Sequence, residues 1–94
     1  MKVRIKDYEY EIVEVDYIGD NTDIVGNTDN RLCKISLIKD LDYTLKRKTL
    51  IHELVHAFIN SYGFNDYDFK EENVCYFFET YGDDILKIIE DYFK

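Results

Sequence analysis

A chain of 94 residues supplies apolar side chains for one core and too few for two, so a single domain over 1–94 is expected. Its 46% hydrophobic and 16% aromatic content excludes a disordered chain despite 34% charged residues, and no run of about 18 apolar residues is present to span a membrane. A net charge of −8, with Lys and Arg scattered rather than striped, argues against nucleic acid and membrane surfaces as partners and suits a basic peptide or protein substrate.

The chain opens on Met1-Lys2-Val3-Arg4-Ile5-Lys6, without the long apolar stretch and small-residue cleavage site of a signal peptide, so a cytoplasmic protein is expected. Val3 and Ile5 alternate with basic residues, Tyr8, Tyr10 and Ile12 with acidic ones, and Val13, Val15 and Tyr17 continue on the other parity. This pattern predicts two strands, or one long strand with a bulge near Ile12-Val13. "GDNTDIVGNTDN", residues 19–30, collects turn-forming residues and reads as a loop or irregular hairpin. "RLCKISLIKD" then alternates Cys33, Ile35 and Leu37 against Lys34, Ser36 and Ile38, a strand with one buried face. Cys33 and Cys75 fall outside any CxxC pattern and are expected as reduced, buried thiols.

A helix is predicted over 42–63, with Asp42 as N-cap, Leu50, Ile51, Leu54, Val55, Phe58 and Ile59 at helical spacing, and Gly63 as the left-handed stop. A second helix is predicted over 68–93, capped by Asp66 or Asp68, with Val74, Phe77, Phe78, Tyr81, Ile85, Ile88 and Ile89 on its apolar side. The expected fold class is α+β. Residues 1–40 would form a small, twisted, mainly antiparallel sheet packed on the two helices.

The chemistry concentrates in "TLIHELVHAF", residues 49–58, which holds both histidines of the chain. Residues at i and i+4 sit one turn apart on one helix face, about 5 to 6 Å between Cβ atoms, so His52 and His56 can converge on one ion. Glu53 is rotated about 100° from His52, too far to share the same coordination but suited to touch a water on the metal and act as general base. A chain of this size carries HExxH by chance about once in several hundred. Its placement on an amphipathic helix makes a Zn2+ site the reading that explains more.

Zinc in a catalytic site needs three protein ligands and an open position. The extended motif HExxHxxGxxH is broken, with Ile59 in place of the glycine and Tyr62 in place of a third histidine. The third ligand is therefore expected to be a carboxylate from the start of the second helix. Glu71 shares a predicted inward stripe with Val74, Cys75 and Phe78, whereas its alternate, Glu72, aligns with Glu79, Asp83 and Glu90; Glu71 is preferred. Asp66 and Asp68 are better read as caps. Tyr62, Tyr76 and Tyr81 are candidate donors to an oxyanion.

"TLIHELVHAF" followed by "KEENVCYFFE" resembles the zincin metallopeptidases of the gluzincin type, in particular the small single-domain zincin-like proteins of phages and mobile elements, and more distantly the ImmA/IrrE peptidase-like family. The resemblance covers roughly residues 31–89. It implies a glutamate ligand followed three residues later by a small residue and four later by Asn or Asp; placed on Glu71 these become Val74 and Cys75, and Cys75 departs from the pattern. It also implies that the strand before the metal helix, about 32–38, edges the cleft and pairs with an extended substrate.

The function expected on these grounds is zinc-dependent peptide hydrolysis, with a zinc-bound water activated by Glu53. The alternative is a non-catalytic interaction or regulatory protein that keeps zinc as a structural staple. A monomer suffices for either, and the sequence sets no larger assembly.

Overall fold

The computed structural model describes residues 1–20, 23–64 and 70–94. Four strands are followed by two helices: β1 (Lys2–Ile5), β2 (Tyr8–Val15), β3 (Gly26–Asp29), β4 (Lys34–Ile38), α1 (Tyr43–Tyr62) and α2 (Glu71–Tyr92). The strands form one sheet in the order β1-β2-β4-β3, an α+β architecture with a mixed, mainly antiparallel sheet.

β1 and β2 form an antiparallel hairpin closing at Ile5↔Tyr8, and Lys6 in its turn takes a left-handed φ of 56°. The break in the first strand segment therefore falls at Lys6-Asp7, and β2 runs on through Ile12-Val13 in continuous register with β4. The change of parity is a change of face: Tyr10 and Ile12 are buried, while Val13 and Val15 lie half-buried on the other side.

β2 and β4 pair in parallel, so the chain must leave the end of β2 and return before β4 begins. Part of that return, read from the sequence as a loop or irregular hairpin, is β3, which is the first arm of a hairpin with β4. It pairs antiparallel with β4 from Gly26↔Leu37 to Asp29↔Lys34. Gly, Asn and Asp have poor strand propensity, and it is the partner strand that makes this segment extended. The following turn is held by Asp29 Oδ1, which accepts the N–H groups of Arg31 and Leu32 at 3.0 and 3.1 Å. Cys33 belongs to this turn, with φ of 53°, and β4 starts only at Lys34.

α1 carries both predicted caps. Asp42 accepts from the Leu45 N–H at 2.9 Å, and Gly63 adopts φ of 78°. Leu50, Leu54, Ala57 and Phe58 of α1 cover Ile5, Tyr10, Ile12, Ile35 and Leu37 of the sheet, each large side chain contributing about 1.5 to 3 kcal/mol relative to exposure. α2 adds Phe77, Ile85 and Ile89 to this core, and its C-terminal turn is fastened to the sheet by Tyr92, whose hydroxyl donates to Glu14 Oε2 at 2.5 Å.

The register of α2 corrects three expectations. Its inward stripe runs through Val74, Phe77, Tyr81, Ile85 and Ile89, because Phe77 takes the central place against α1 and Phe64. Phe78 and Cys75 are consequently exposed, and so is Glu71, three residues before Val74 in the first turn. The predicted caps Asp66 and Asp68 lie outside the described residues; the N-cap position belongs to Lys70, which makes no side-chain capping bond. Both thiols are free, Cys33 half-buried rather than buried.

Candidate metal centre

α1 presents its histidines beside β3. His52 and His56 are exposed, with ring centroids 4.9 Å apart and planes at 71°, as expected of two imidazoles one helical turn apart. Glu53, 100° further round the helix, turns under β3 and is only 6% exposed. Nitrogen atoms of both histidines and a carboxylate oxygen of Glu53 all lie within 4.8 Å of one another. Ligand atoms around a tetrahedral zinc stand about 3.4 Å apart at bond lengths of about 2.0 to 2.1 Å. Small side-chain rotations therefore bring the imidazoles to ligand spacing, and the donor chemistry of two imidazoles with one adjoining carboxylate fits zinc.

The position of Glu53 depends on two residues of β3 that the sequence reading passed over. Thr28 Oγ1 stands 2.8 Å from Glu53 Oε1 and 3.0 Å from the Glu53 carbonyl oxygen, donating its hydrogen between them. Gly26, two residues earlier and so on the same face of the strand, has no side chain to hold the strand off the helix. A Cβ there would collide with Thr49 Cγ2 and stand 3.1 Å from Glu53 Oε2. Thr49 cannot swing aside freely, since its hydroxyl donates to the Leu45 carbonyl at 2.7 Å.

Two adjoining clefts, about 440 and 370 Å³, share Ile24, Gly26, His52 and Glu53 and form one groove along β3. Toward the C-terminal end of α1 the groove reaches His56 and Asn30; toward the N-terminal end it reaches Lys48. Asn30 is held by Tyr10, wholly buried, whose hydroxyl donates to Asn30 Oδ1 at 2.8 Å and accepts from Asn60 Nδ2 at 3.2 Å.

The wall of this groove is β3. β4 lies between β2 and β3, so the strand at 32–38 is interior, and the expectation that it edges the cleft is corrected. Among the described residues β3 pairs only with β4, leaving its outer backbone edge open beside the histidines.

Of the predicted site residues the structure brings together His52, Glu53 and His56. It does not group Glu71 or Glu72 with them; both are exposed in the first turn of α2. Tyr62 and Tyr81 meet at 4.3 Å with tilted rings in an aromatic cluster with Phe58, and burial pushes the Tyr81 phenol above its ordinary value. Neither they nor the exposed Tyr76 line the groove. Among the described residues no helix is long and apolar enough to cross a membrane. No family model, curated protein or solved structure matches the chain.

Proposed function

We propose that this protein is a zinc-dependent peptidase whose reaction centre is His52, Glu53 and His56. The observation that carries the proposal is the pairing of two exposed imidazoles, one helical turn apart, with a carboxylate buried beside the open edge of a strand. Zinc held there supplies a Lewis acid and lowers the pKa of a water to about 7. His52 and His56 hold the ion. A carboxylate from the first turn of α2, Glu71 with Glu72 as its alternate, completes the ligand set in this proposal, and zinc content in Glu71→Gln and Glu72→Gln identifies which of the two serves.

Glu53 accepts a proton from the attacking water at a carboxylate oxygen and returns it to the leaving amine. β3 positions the substrate: an extended peptide pairs with the unpaired N–H and C=O groups of its outer edge, which places a scissile carbonyl over the histidines. The net charge of −8 favours basic peptides or proteins.

The test is elemental analysis with mutagenesis. Purified protein should carry stoichiometric zinc, His52→Ala should lose it, and hydrolysis of a labelled basic protein such as histone should follow the zinc. Absence of zinc from the wild-type protein refutes the proposal. Stoichiometric zinc without hydrolysis of the basic substrate, combined with a large fall in melting temperature on chelation, would favour the structural staple instead.

A further inference from the structure

Glu53 has two carboxylate oxygens, and β3 treats them differently. Oε1 takes the Thr28 hydroxyl at 2.8 Å, while Oε2 faces Gly26, where a Cβ would stand 3.1 Å from it. Thr28 also reaches the main-chain oxygen of Glu53 at 3.0 Å, so one hydroxyl fixes both the side-chain rotamer and the height of the helix against the strand. A threonine serving only to fasten β3 would need the carbonyl alone. The second contact is made to the carboxylate of a residue only 6% exposed, where a hydrogen bond restrains the side chain most.

We infer that Thr28 is the positioning residue of Glu53, holding Oε1 so that Oε2, kept open by Gly26, is the oxygen that takes up the proton. The inference rests on the hydrolytic reading of the site and adds to it a division of labour within the carboxylate. Without the hydroxyl, Glu53 gains rotamers in which neither oxygen is held. A base displaced in this way leaves zinc binding intact and weakens any step that passes a proton to it.

The probe is acetohydroxamate, a zinc-binding acid whose proton must pass to a neighbouring base, titrated calorimetrically into the zinc-loaded protein. Thr28→Ala should retain stoichiometric zinc and bind the probe about tenfold more weakly, the effect expected for losing a hydrogen bond to a charged group. Thr28→Ser, which restores only the hydroxyl, should recover affinity to within about twofold of wild type. Adding Thr28→Ala to Glu53→Gln should weaken binding no further than Glu53→Gln alone.

Equal weakening in Thr28→Ala and Thr28→Ser would mean that the methyl group matters, and would overturn the positioning role. Wild-type affinity in Thr28→Ala together with weak binding in Glu53→Gln would overturn the inference and leave the hydrolytic reading standing. Unchanged affinity in Glu53→Gln, or a wild-type protein without zinc, would remove both. If Thr28→Ala fails to fold, the isosteric Thr28→Val replaces it in the same comparison with Thr28→Ser.

Discussion

The Tyr92 hydroxyl and the Glu14 carboxylate, 78 positions apart in sequence, meet at 2.5 Å and join the last turn of α2 to β2. Lys46 of α1 binds the other oxygen of Glu14 at 2.8 Å and the Lys39 carbonyl at 2.9 Å, so one carboxylate gathers both helices onto the sheet. The bonds from Lys46 and then Tyr92 hold the Glu14 carboxyl below its ordinary value of 4.5. Burial, and then the bond to Glu14, push the Tyr92 phenol above 10.0.

The signs of the two linkages are opposite. Glu14 binds its proton more weakly folded than unfolded, so its contribution is present above the ordinary value and is lost as pH falls through the folded one. Tyr92 holds its proton more tightly folded, so its contribution is present below pH about 10 and is lost as pH rises through the folded value. Tyr92→Phe is expected to cost about 1 kcal/mol near neutrality, reduced by solvent screening, and to flatten the alkaline limb. Melting temperature against pH, taken as wild type minus variant, isolates the pair from the other titrating groups.

Glu53→Gln keeps the shape of the side chain and a weaker acceptor for Thr28, but removes the base. Hydrolysis of the labelled basic protein is expected to fall by about 10²- to 10⁴-fold with stoichiometric zinc retained. Hydrolysis at the wild-type rate in zinc-loaded Glu53→Gln would refute the assignment of the base.

Gly26→Ala is expected to destabilise by about 1 to 3 kcal/mol, because the new methyl group meets Thr49 Cγ2 on a side chain tethered by its own hydrogen bond. Thr49→Ser deletes that methyl group, so Gly26→Ala/Thr49→Ser should recover part of the loss. Chemical denaturation of the two single variants and the double variant measures the coupling, and strict additivity would show that the close approach does not limit packing.

Tyr10→Phe leaves Asn30 Oδ1 without its buried donor and Asn60 Nδ2 without its acceptor. Both amides belong to exposed residues and can turn to water, so a cost of about 1 kcal/mol is expected. The local effect should be larger. Amide hydrogen exchange in the β3–β4 turn should accelerate more than in β2 and α1, and uniform acceleration would place the hydroxyl's role in the core instead.

The sequence was most informative where the signals are local. Asp42 and Gly63 bound α1 because capping acts within one turn, and the HExxH spacing placed His52 and His56 together because helix geometry alone does so. β3 was illegible for the opposite reason: its extended form comes from β4, and Gly26 and Asn27 carry no strand signal of their own. Thr28 went unseen with it, since its bond to Glu53 spans 25 positions and pairs residue types with no spacing rule. The apolar side of α2 was legible in Phe77, Tyr81, Ile85, Ile88 and Ile89, while Phe78 and Cys75 were misplaced, since Val74, Cys75, Phe77 and Phe78 are all apolar and only packing against α1 chooses among them.

The two rims of the sheet are unequal. β1 carries the exposed cations Lys2 and Arg4 along its four residues, the kind of charged margin that discourages another strand from adding. β3, equally short, carries Gly26, Asn27, Thr28 and Asp29 and no cation. A chain that joins this sheet is therefore guided to one rim by repulsion at the other, and a basic one is repelled most strongly.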